Sequence, residues 1–251
     1  MSSIRLHRQV CAFIDVLGGA NLFQGKDRKR AAAFFACLGE FERRLNGWSR
    51  HFPKKRQASS LVKTFSDNIF VAFPFGSSSK MSDQKVVETF LDELTHQIQE
   101  LTLFADFPVR GAVSVGPLMF TDKFLFGPAL VEAVQLEKEA LFPRVLLSKS
   151  VLKYISPESP AAKLVLRDSD GKSFLHYLPK SKVWLDRHQN YVRNGLLENA
   201  SRVHERQKYE WLVQYHNFVT ASAGLPEYEI SSEYPDRFVM FQQPLPLEAH
   251  A

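Results

Sequence analysis

The run QVCAFIDVL at residues 9–17 decides the fold, and its one charged side chain, Asp15, is the first sign of a functional site. The run is apolar, rich in residues that favour β-structure, and followed at once by Gly18 and Gly19. It therefore predicts a buried strand that ends in a tight loop. A carboxylate inside such a strand is energetically costly unless it has a partner, and a metal ion is one such partner.

The second decisive stretch is VKTFSDNIFVAF at residues 62–73, in which two β-rich runs flank Ser66-Asp67-Asn68. This is the strongest hairpin signal in the chain. If the hairpin lies beside the first strand, Asp15 and Asp67 converge on one edge of a sheet. Two hard oxygen ligands near the loop Gly18-Gly19-Ala20 predict a Mg²⁺ or Mn²⁺ site, with loop amides available for phosphates. The alternative is that both residues are ordinary turn aspartates.

The remaining pattern predicts an α+β fold. Apolar side chains recur at three- and four-residue steps over 26–48 and 83–104, which indicates two amphipathic helices. We expect one domain over 9–180, followed by a helical extension and an extended tail over 181–251. The other predicted elements are a glycine-interrupted strand at 108–120, a helix at 127–141, a strand at 144–148, a short helix at 149–155, a hairpin at 162–179 and a long or once-broken helical region from 182.

The amino-acid composition of the chain limits the classes of function that it can have. The chain of 251 residues has 32 Lys+Arg and 27 Asp+Glu, a net charge of +5 that suits a phosphate-bearing ligand but does not indicate nucleic-acid binding. No apolar run reaches the roughly 18 residues of a membrane span, and Asp15 interrupts the segment that a secretory signal would need. The two cysteines, Cys11 and Cys37, cannot form a disulfide framework. We expect a cytoplasmic protein that binds neither nucleic acid nor membranes.

Four segments of the chain share one order with a known family: CAFIDVLGG (11–19), VKTFSDNIFVAF (62–73), VRGAVSVGPL (109–118) and FGPALVEAVQLEKE (126–139). In this order they resemble the catalytic domain of class III nucleotidyl cyclases, and together they span most of residues 9–180. The resemblance implies a ferredoxin-like βαββαβ core and a homodimer in which the partner chain completes each active site. It also implies that Asp15 and Asp67 hold two divalent metal ions, with the carbonyl group of Val16 as a further ligand.

The departures from the family pattern concern the nucleotide. The family's asparagine and arginine, which contact the ribose and the α-phosphate, are Val131 and Gln135 here. The base-contacting lysine is retained as Lys63, whereas the acidic residue that helps to select a purine aligns near Phe124. The amino-acid sequence of residues 126–148 and the helical tail resemble those of the pyrimidine cyclases of bacterial Pycsar anti-phage systems. That resemblance implies a homodimer whose cyclic pyrimidine nucleotide activates a separate effector.

The family mechanism is in-line attack of the ribose 3′-hydroxyl on the α-phosphorus, with pyrophosphate as the leaving group. The amides of Gly18, Gly19 and Ala20 would bind phosphates, as loop and helix-start amides do. Because the family arginine is missing, another cation is needed, and we choose Lys172, in the second hairpin. Arg144 and Lys149 are the alternatives, and each of these side chains is also compatible with an ordinary solvated surface position.

The chemistry of Lys63 predicts which nucleobase the substrate carries. Uracil and cytosine differ at the C4 edge, and a lysine can only donate there, which favours the carbonyl group of uracil. We therefore predict that UTP is converted to 3′,5′-cyclic UMP, with CTP as the alternative substrate. A degenerate, non-catalytic nucleotide-binding domain is a second alternative. A diguanylate cyclase ranks third, because residues 65–68 do not provide its G-G-[DE]-E-F hairpin.

Overall fold

The computed structural model describes residues 6–18, 28–49, 62–75, 81–121, 123–231 and 239–240. The strands are β1 (His7–Val16), β2 (Val62–Phe65), β3 (Asn68–Pro74), β4 (Val109–Phe120), β5 (Leu125–Phe126), β6 (Val145–Leu147), β7 (Val165–Arg167), β8 (Ser173–Leu175) and β9 (Val239–Met240). The helices are α1 (Arg28–Ser49), α2 (Asp83–Gln99), α3 (Pro128–Lys138), α4 (Lys149–Leu152), α5 (Lys182–Glu198) and α6 (Val203–Ala223).

The strands form one sheet in the order β2-β3-β1-β4-β6-β8-β7-β9, with β5 paired to β4. The first four are antiparallel to their neighbours, α1 connects β1 to β2, and α2 connects β3 to β4. This is the βαββαβ arrangement, so the predicted α+β, ferredoxin-like core is confirmed. Strand β6 then runs parallel to β4 and begins the extension of the sheet.

Strand β1 is central, and its alternating side chains serve the two faces of the sheet. Val10, Ala12 and Ile14 belong to the main hydrophobic core, together with apolar side chains of α1 and α2. Cys11 belongs to a smaller cluster on the other face, which includes Ala129 of α3. Burial raises the pKa of the Cys11 thiol to about 12, as expected for an unreactive thiol. The sheet thus has a heavily covered face and a lightly covered one.

The predicted helix over 83–104 is an α-helix only to Gln99 and continues as a π-helical turn over Glu100–Phe104. A wider turn of this kind cannot be recognised from apolar spacing, because it adds one residue to a single helical turn. The predicted loop at 49–60 lies outside the described residues, apart from Ser49 at the end of α1. None of the helices in the described ranges is both long enough and apolar enough to cross a membrane.

The C-terminal helical region is broken once, between Glu198 and Val203. Helices α5 and α6 contribute side chains such as Val192 and Trp211 to the same core as the sheet. Strand β9, in the predicted tail, pairs with β7. The division between 9–180 and 181–251 stays a prediction, since the two parts share one core.

Gly195 gives a first test of this packing. A Cβ atom at this position would lie 1.9 Å from a ring carbon of Tyr209, so α5 can approach α6 only with glycine here. We expect Gly195→Ala to lower the free energy of unfolding by about 1–3 kcal/mol, the usual cost of overpacking. Chemical denaturation measures this, with Gly39→Ala as the control because nothing lies within 4 Å of a Cβ at Gly39. Equal stability of the two variants would contradict the packing argument.

Candidate active site

The strand register brings the two candidate aspartates to the same edge of the sheet. Asp15, near the end of β1, pairs with Asn68, the first residue of β3. The amide of Val16 donates a hydrogen bond to the carbonyl oxygen of Asp67, with an N–O distance of 2.9 Å. The convergence expected from the sequence is therefore observed, while the role of both residues as metal ligands stays a prediction.

A two-residue turn presents Asp67. Phe65 pairs with Asn68, so Ser66 and Asp67 alone form the turn, which is one residue shorter than the predicted one. Ser66 has φ of +57°, the left-handed conformation that tight hairpins require. The side-chain amide of Asn68 donates to Oδ1 of Asp67 over 3.2 Å. The turn and this bond together hold the carboxylate at the tip of the hairpin.

Arg110 is a site residue that the sequence reasoning missed. It lies on β4 directly opposite Asp15, and its Nε donates to Oδ2 of Asp15 over 2.8 Å. The same Nε lies 2.8 Å from Oε1 of Glu137, on α3. Burial raises the pKa of Glu137, although the charge of Arg110 opposes that shift. Arg110 thus lies between two carboxylates and contributes positive charge beside the candidate metal ligands.

The available signal for Arg110 was its position in VRGAVSVGPL, a charged side chain near the start of an otherwise apolar strand. The neighbouring Gly111 shows why β4 can approach β1 so closely. A Cβ atom there would lie 2.5 Å from the carbonyl oxygen of Phe13. This close approach fixes the register that brings Arg110 opposite Asp15.

The donor set fits a divalent cation. The carboxylates of Asp15 and Asp67 and the main-chain carbonyl of Val16 are hard oxygen donors, which Mg²⁺ and Mn²⁺ prefer. The described residues contain no group of three or more His, Cys, Asp or Glu side chains that could hold an ion without other ligands. Such a site needs substrate oxygens and water to complete the coordination shell, as Mg²⁺ sites in phosphate-transfer enzymes commonly do.

The two family positions that differ in this chain lie on an exposed face of α3. Val131 is 53% exposed, and Gln135, one helical turn later, is exposed as well. The opposite face of the helix packs inward through Ala129 and Ala133. Side chains at these two positions therefore point away from the core of their own chain, where a second chain can reach them.

The two candidate base-binding residues border one aromatic patch on the lightly covered face. Nζ of Lys63 lies 5.5 Å from the centroid of the Phe120 ring, a cation–π distance. Phe120 pairs with Leu125, which directly follows the candidate Phe124. The Phe124 side chain is 57% exposed. Lys63 and the turn that carries Phe124 thus both adjoin Phe120.

The candidate phosphate cations have different surroundings. Nζ of Lys172 lies 2.9 Å from Oε2 of Glu139, so this cation already has a partner. Arg144, an alternative, is fully buried and ion-paired with Asp168 and Asp170. Because its guanidinium is enclosed, Arg144 stabilises the β7–β8 hairpin and is not available to a phosphate. The second alternative, Lys149, is exposed at the start of α4.

Of the predicted phosphate loop, Gly18 is described and has φ of +80°, which favours glycine. Gly19 and Ala20 lie outside the described residues. The amide of Leu17, just before this loop, donates to the carbonyl oxygen of Pro108 over 2.9 Å. The chain therefore enters the loop from a position fixed against the segment that precedes β4.

Comparison with solved structures shows the same fold in cyclase domains. One is the catalytic core of a rhodopsin-guanylyl cyclase with converted specificity, in complex with ATPαS, at 13% identity and a TM-score of 0.50, covering 70% of this chain and 99% of that one. Two others have TM-scores of 0.49 and 0.48 and 12% identity. They are the adenylyl cyclase CyaB from P. aeruginosa, covering 68% of this chain and 94% of that one, and the guanylyl cyclase domain of RhoGC from the aquatic fungus Blastocladiella emersonii, covering 69% and 96%.

Neither the models of known protein families nor the curated proteins gave a match. Of the three structures, the rhodopsin-guanylyl cyclase core has the highest TM-score, 0.50, and at 13% identity this similarity shows the fold alone. The chain has the fold of the class III nucleotidyl cyclase catalytic domain.

Proposed function

We propose that this protein is a pyrimidine nucleotide cyclase that converts UTP to 3′,5′-cyclic UMP and pyrophosphate. The observation that carries the proposal is the arrangement of Asp15, Asp67 and Arg110 at one edge of a cyclase-fold sheet. Two carboxylates and a guanidinium in this arrangement suit a metal-bound polyphosphate, since the first two bind the cation and the third attracts phosphate oxygens.

The chain's own residues would act mainly by positioning. Asp15, Asp67 and the Val16 carbonyl would hold two Mn²⁺ or Mg²⁺ ions. When bound, such ions lower the pKa of the ribose 3′-hydroxyl and offset the charge on the phosphates. Arg110 would contact phosphate oxygens from the floor of the site, while amides of the Gly18-Gly19-Ala20 loop would orient the β- and γ-phosphates.

An exposed apolar surface on α3 and the segment before it supports a homodimer. Phe124, Phe126 and Val131 are all more than a third exposed, although they are apolar. A second copy of the chain, related by a two-fold axis, would cover these side chains and bring its own Val131 and Gln135 towards the substrate. In this arrangement, an additional cation at the α-phosphate comes from elsewhere, and Lys172 remains our choice once it is released from Glu139.

The role in anti-phage defence, with a separate effector that responds to the cyclic nucleotide, rests on the likeness of residues 126–148 to the pyrimidine cyclases of Pycsar systems. The alternative of a non-catalytic nucleotide-binding domain has a specific observation in its favour, because Val131 and Gln135 lack the groups that contact ribose and α-phosphate in the family. Incubation with each of the four nucleoside triphosphates and Mn²⁺, followed by mass spectrometry, separates the two. Binding without any cyclic product would support the non-catalytic alternative.

Base selection gives a sharper prediction. Lys63 is positioned by the Phe120 ring and can only donate a hydrogen bond, so it favours O4 of uracil over the amino group of cytosine. We expect cyclic UMP to exceed cyclic CMP when UTP and CTP compete at equal concentration. We expect Lys63→Gln to reduce that ratio about tenfold, because glutamine can donate to one base and accept from the other.

Quantification of both products by mass spectrometry gives the ratio for each variant. Lys85→Gln is the matched control, since Lys85 is an exposed lysine on α2 that pairs with Glu88 outside the candidate site. Preferential formation of cyclic CMP would refute the choice of uracil. An unchanged ratio in Lys63→Gln would refute the reason given for it.

A further inference from the structure

A polar cleft of about 490 Å³ lies where α5 and α6 meet the π-helical turn Glu100–Phe104 and the first turn of α1. None of the candidate catalytic residues lines it. Its walls carry two guanidinium groups and two carboxylates, together with carboxamides and phenols. The volume falls in the range of small-molecule sites, roughly 300–1,000 Å³.

One stripe of α5 faces this cleft. Arg187, Tyr191, Asn194 and Glu198 follow one another at steps of four, three and four residues, which places them on one side of the helix. Leu185 and Val192, by contrast, are fully buried in the core. Arg187, Asn194 and Glu198 are exposed at the mouth of the cleft, whereas Tyr191 is half-buried. The stripe therefore offers solvent-accessible polar groups to a ligand.

Main-chain carbonyls and aromatic rings orient the two guanidinium groups. Arg187 donates to the carbonyl oxygen of Leu103 over 3.0 Å and lies 4.5 Å from the ring centroid of Phe104. Arg30 donates to the carbonyl oxygen of Asp106 over 2.9 Å. Within the described residues, no carboxylate lies within ion-pair distance of Arg187. Its charge is therefore oriented without being neutralised by direct contact.

Two local features of the cleft are rare. Asp106 has φ of +58°, a left-handed conformation that is uncommon outside glycine. The adjacent π-helical turn is a rare element that is frequent at functional sites. Strained backbone of this kind gathers where ligands bind. The phenol groups of Tyr191 and Tyr209 hydrogen-bond to each other beside these features.

An aromatic wall completes the cleft. The rings of Tyr191 and Tyr209 lie 5.9 Å apart, centroid to centroid. Gly195 allows this, because a side chain there would occupy the position of the Tyr209 ring. Aromatic faces of this type stack with the planar ring of a nucleobase.

We propose that this cleft is a second nucleotide site, which binds a ribonucleoside 5′-monophosphate. Arg187 and Arg30 would bind the phosphate, because guanidinium groups match phosphate oxygens in geometry and charge. Glu198 and Asp106 would accept hydrogen bonds from the ribose hydroxyls. Tyr191 and Tyr209 would contact the base, and Asn194 would hydrogen-bond to its edge. Two positive and two negative side chains suit one phosphate better than the larger charge of a triphosphate.

Isothermal titration calorimetry of the full chain with UMP, CMP, AMP and GMP tests the proposal. We expect saturable, submillimolar binding of at least one of them, and at least about tenfold weaker binding in Arg187→Gln, the loss of one charge-assisted hydrogen bond. Asn194→Trp should abolish binding by filling the cleft without removing a charge. Arg193→Gln, an exposed arginine on the same helix outside the cleft, should bind like the unmodified protein.

Several results would overturn the proposal. One is the absence of binding at millimolar nucleotide in a protein whose thermal melting shows that it is folded. Another is binding that Arg187→Gln and Asn194→Trp leave unchanged, which would place the nucleotide in the catalytic site. Equal affinity for inorganic phosphate would reduce the cleft to an anion site, and equal affinity for the 2′-deoxynucleotide would refute the role given to Glu198 and Asp106.

Discussion

Replacement of Asp67 with asparagine is expected to lower cyclase turnover about a thousandfold, the scale on which loss of one charge-stabilising group slows such reactions. Asparagine keeps the size of the side chain and can still occupy the two-residue turn, so the fold should be retained. What it removes is the negative charge that holds a divalent cation. We therefore expect much weaker metal binding together with the loss of turnover.

The measurement is the initial rate of cyclic nucleotide formation over a range of Mn²⁺ concentrations, with thermal melting at each concentration as the second readout. Mn²⁺ should raise the melting temperature of the unmodified protein but not that of Asp67→Asn. Asp92→Asn, an exposed carboxylate on α2, is the control for loss of charge alone. Turnover within tenfold of the unmodified protein would show that Asp67 is not a metal ligand.

A substitution of Asp15 would be harder to interpret, because this side chain is both a candidate metal ligand and an ion-pair partner. Its carboxylate is the partner of Arg110, and its side chain is only 16% exposed. Removal of one partner from a partly buried ion pair leaves the other uncompensated. Asp15→Asn would therefore change both stability and turnover, whereas Asp67 forms no ion pair within the described residues.

The elements around the site were predictable because local patterns specify them. QVCAFIDVL is a run of β-forming residues that stops at glycine, and SDN between two such runs indicates a hairpin. These two patterns suffice to bring Asp15 and Asp67 to one edge. The spacing of apolar residues likewise predicts α1 and α2, since each helix buries one face on the sheet.

Contacts between distant segments were not predictable in this way. Arg144 was an alternative candidate for the phosphate cation. Its partners, Asp168 and Asp170, lie 24 and 26 residues further along the chain, and no local pattern links them to it. Arg110 was overlooked for the same reason, because its partner Asp15 is 95 residues away. Only the three-dimensional structure reveals these pairs.

The contacts of the histidines are also not predictable from local sequence patterns. His176 hydrogen-bonds to the hydroxyl group of the buried Tyr215. Burial lowers the pKa of His176 to about 4. The sequence does not show, however, that His188 on α5 and His216 on α6 are both fully buried and face each other, with 3.1 Å between their Nδ1 atoms.

The hydrogen bonds of this histidine pair determine its protonation. The carbonyl oxygen of Tyr228 can only accept, so Nε2 of His216 donates to it and Nδ1 of His216 accepts. Nδ1 of His188 must then donate to His216, and Nε2 of His188 accepts from the hydroxyl group of Tyr177. This assignment holds for two neutral rings, which burial favours by lowering the pKa of both histidines, and it pairs all four nitrogens. An added proton would turn one accepting ring nitrogen into a donor. Either two N–H groups would then face each other between the rings, or the hydroxyl group of Tyr177 would lose the nitrogen that accepts its hydrogen bond.

The free energy of unfolding is therefore expected to fall as the pH drops below about 6.5, the pKa of histidine in an unfolded chain. Burial lowers the pKa of His188, His216 and His176 in the folded protein. The unfolded chain thus takes up protons in a range where the folded chain does not, and the stabilisation present above pH 6.5 is lost on acidification. Each histidine contributes up to about 1.4 kcal/mol per pH unit, since one pKa unit corresponds to that energy.

Urea denaturation at intervals between pH 7.5 and about pH 5, a range set on both sides of the unfolded-state pKa, gives the slope of stability against pH. His216→Gln should reduce that slope by the contribution of at least one histidine, whatever its effect on absolute stability, because glutamine does not titrate. His204→Gln, an exposed histidine on α6, should leave the slope unchanged. If His216→Gln and His204→Gln have the same slope as the unmodified protein, the acid sensitivity does not come from the buried pair, and the directed hydrogen bonds between α5 and α6 do not govern it.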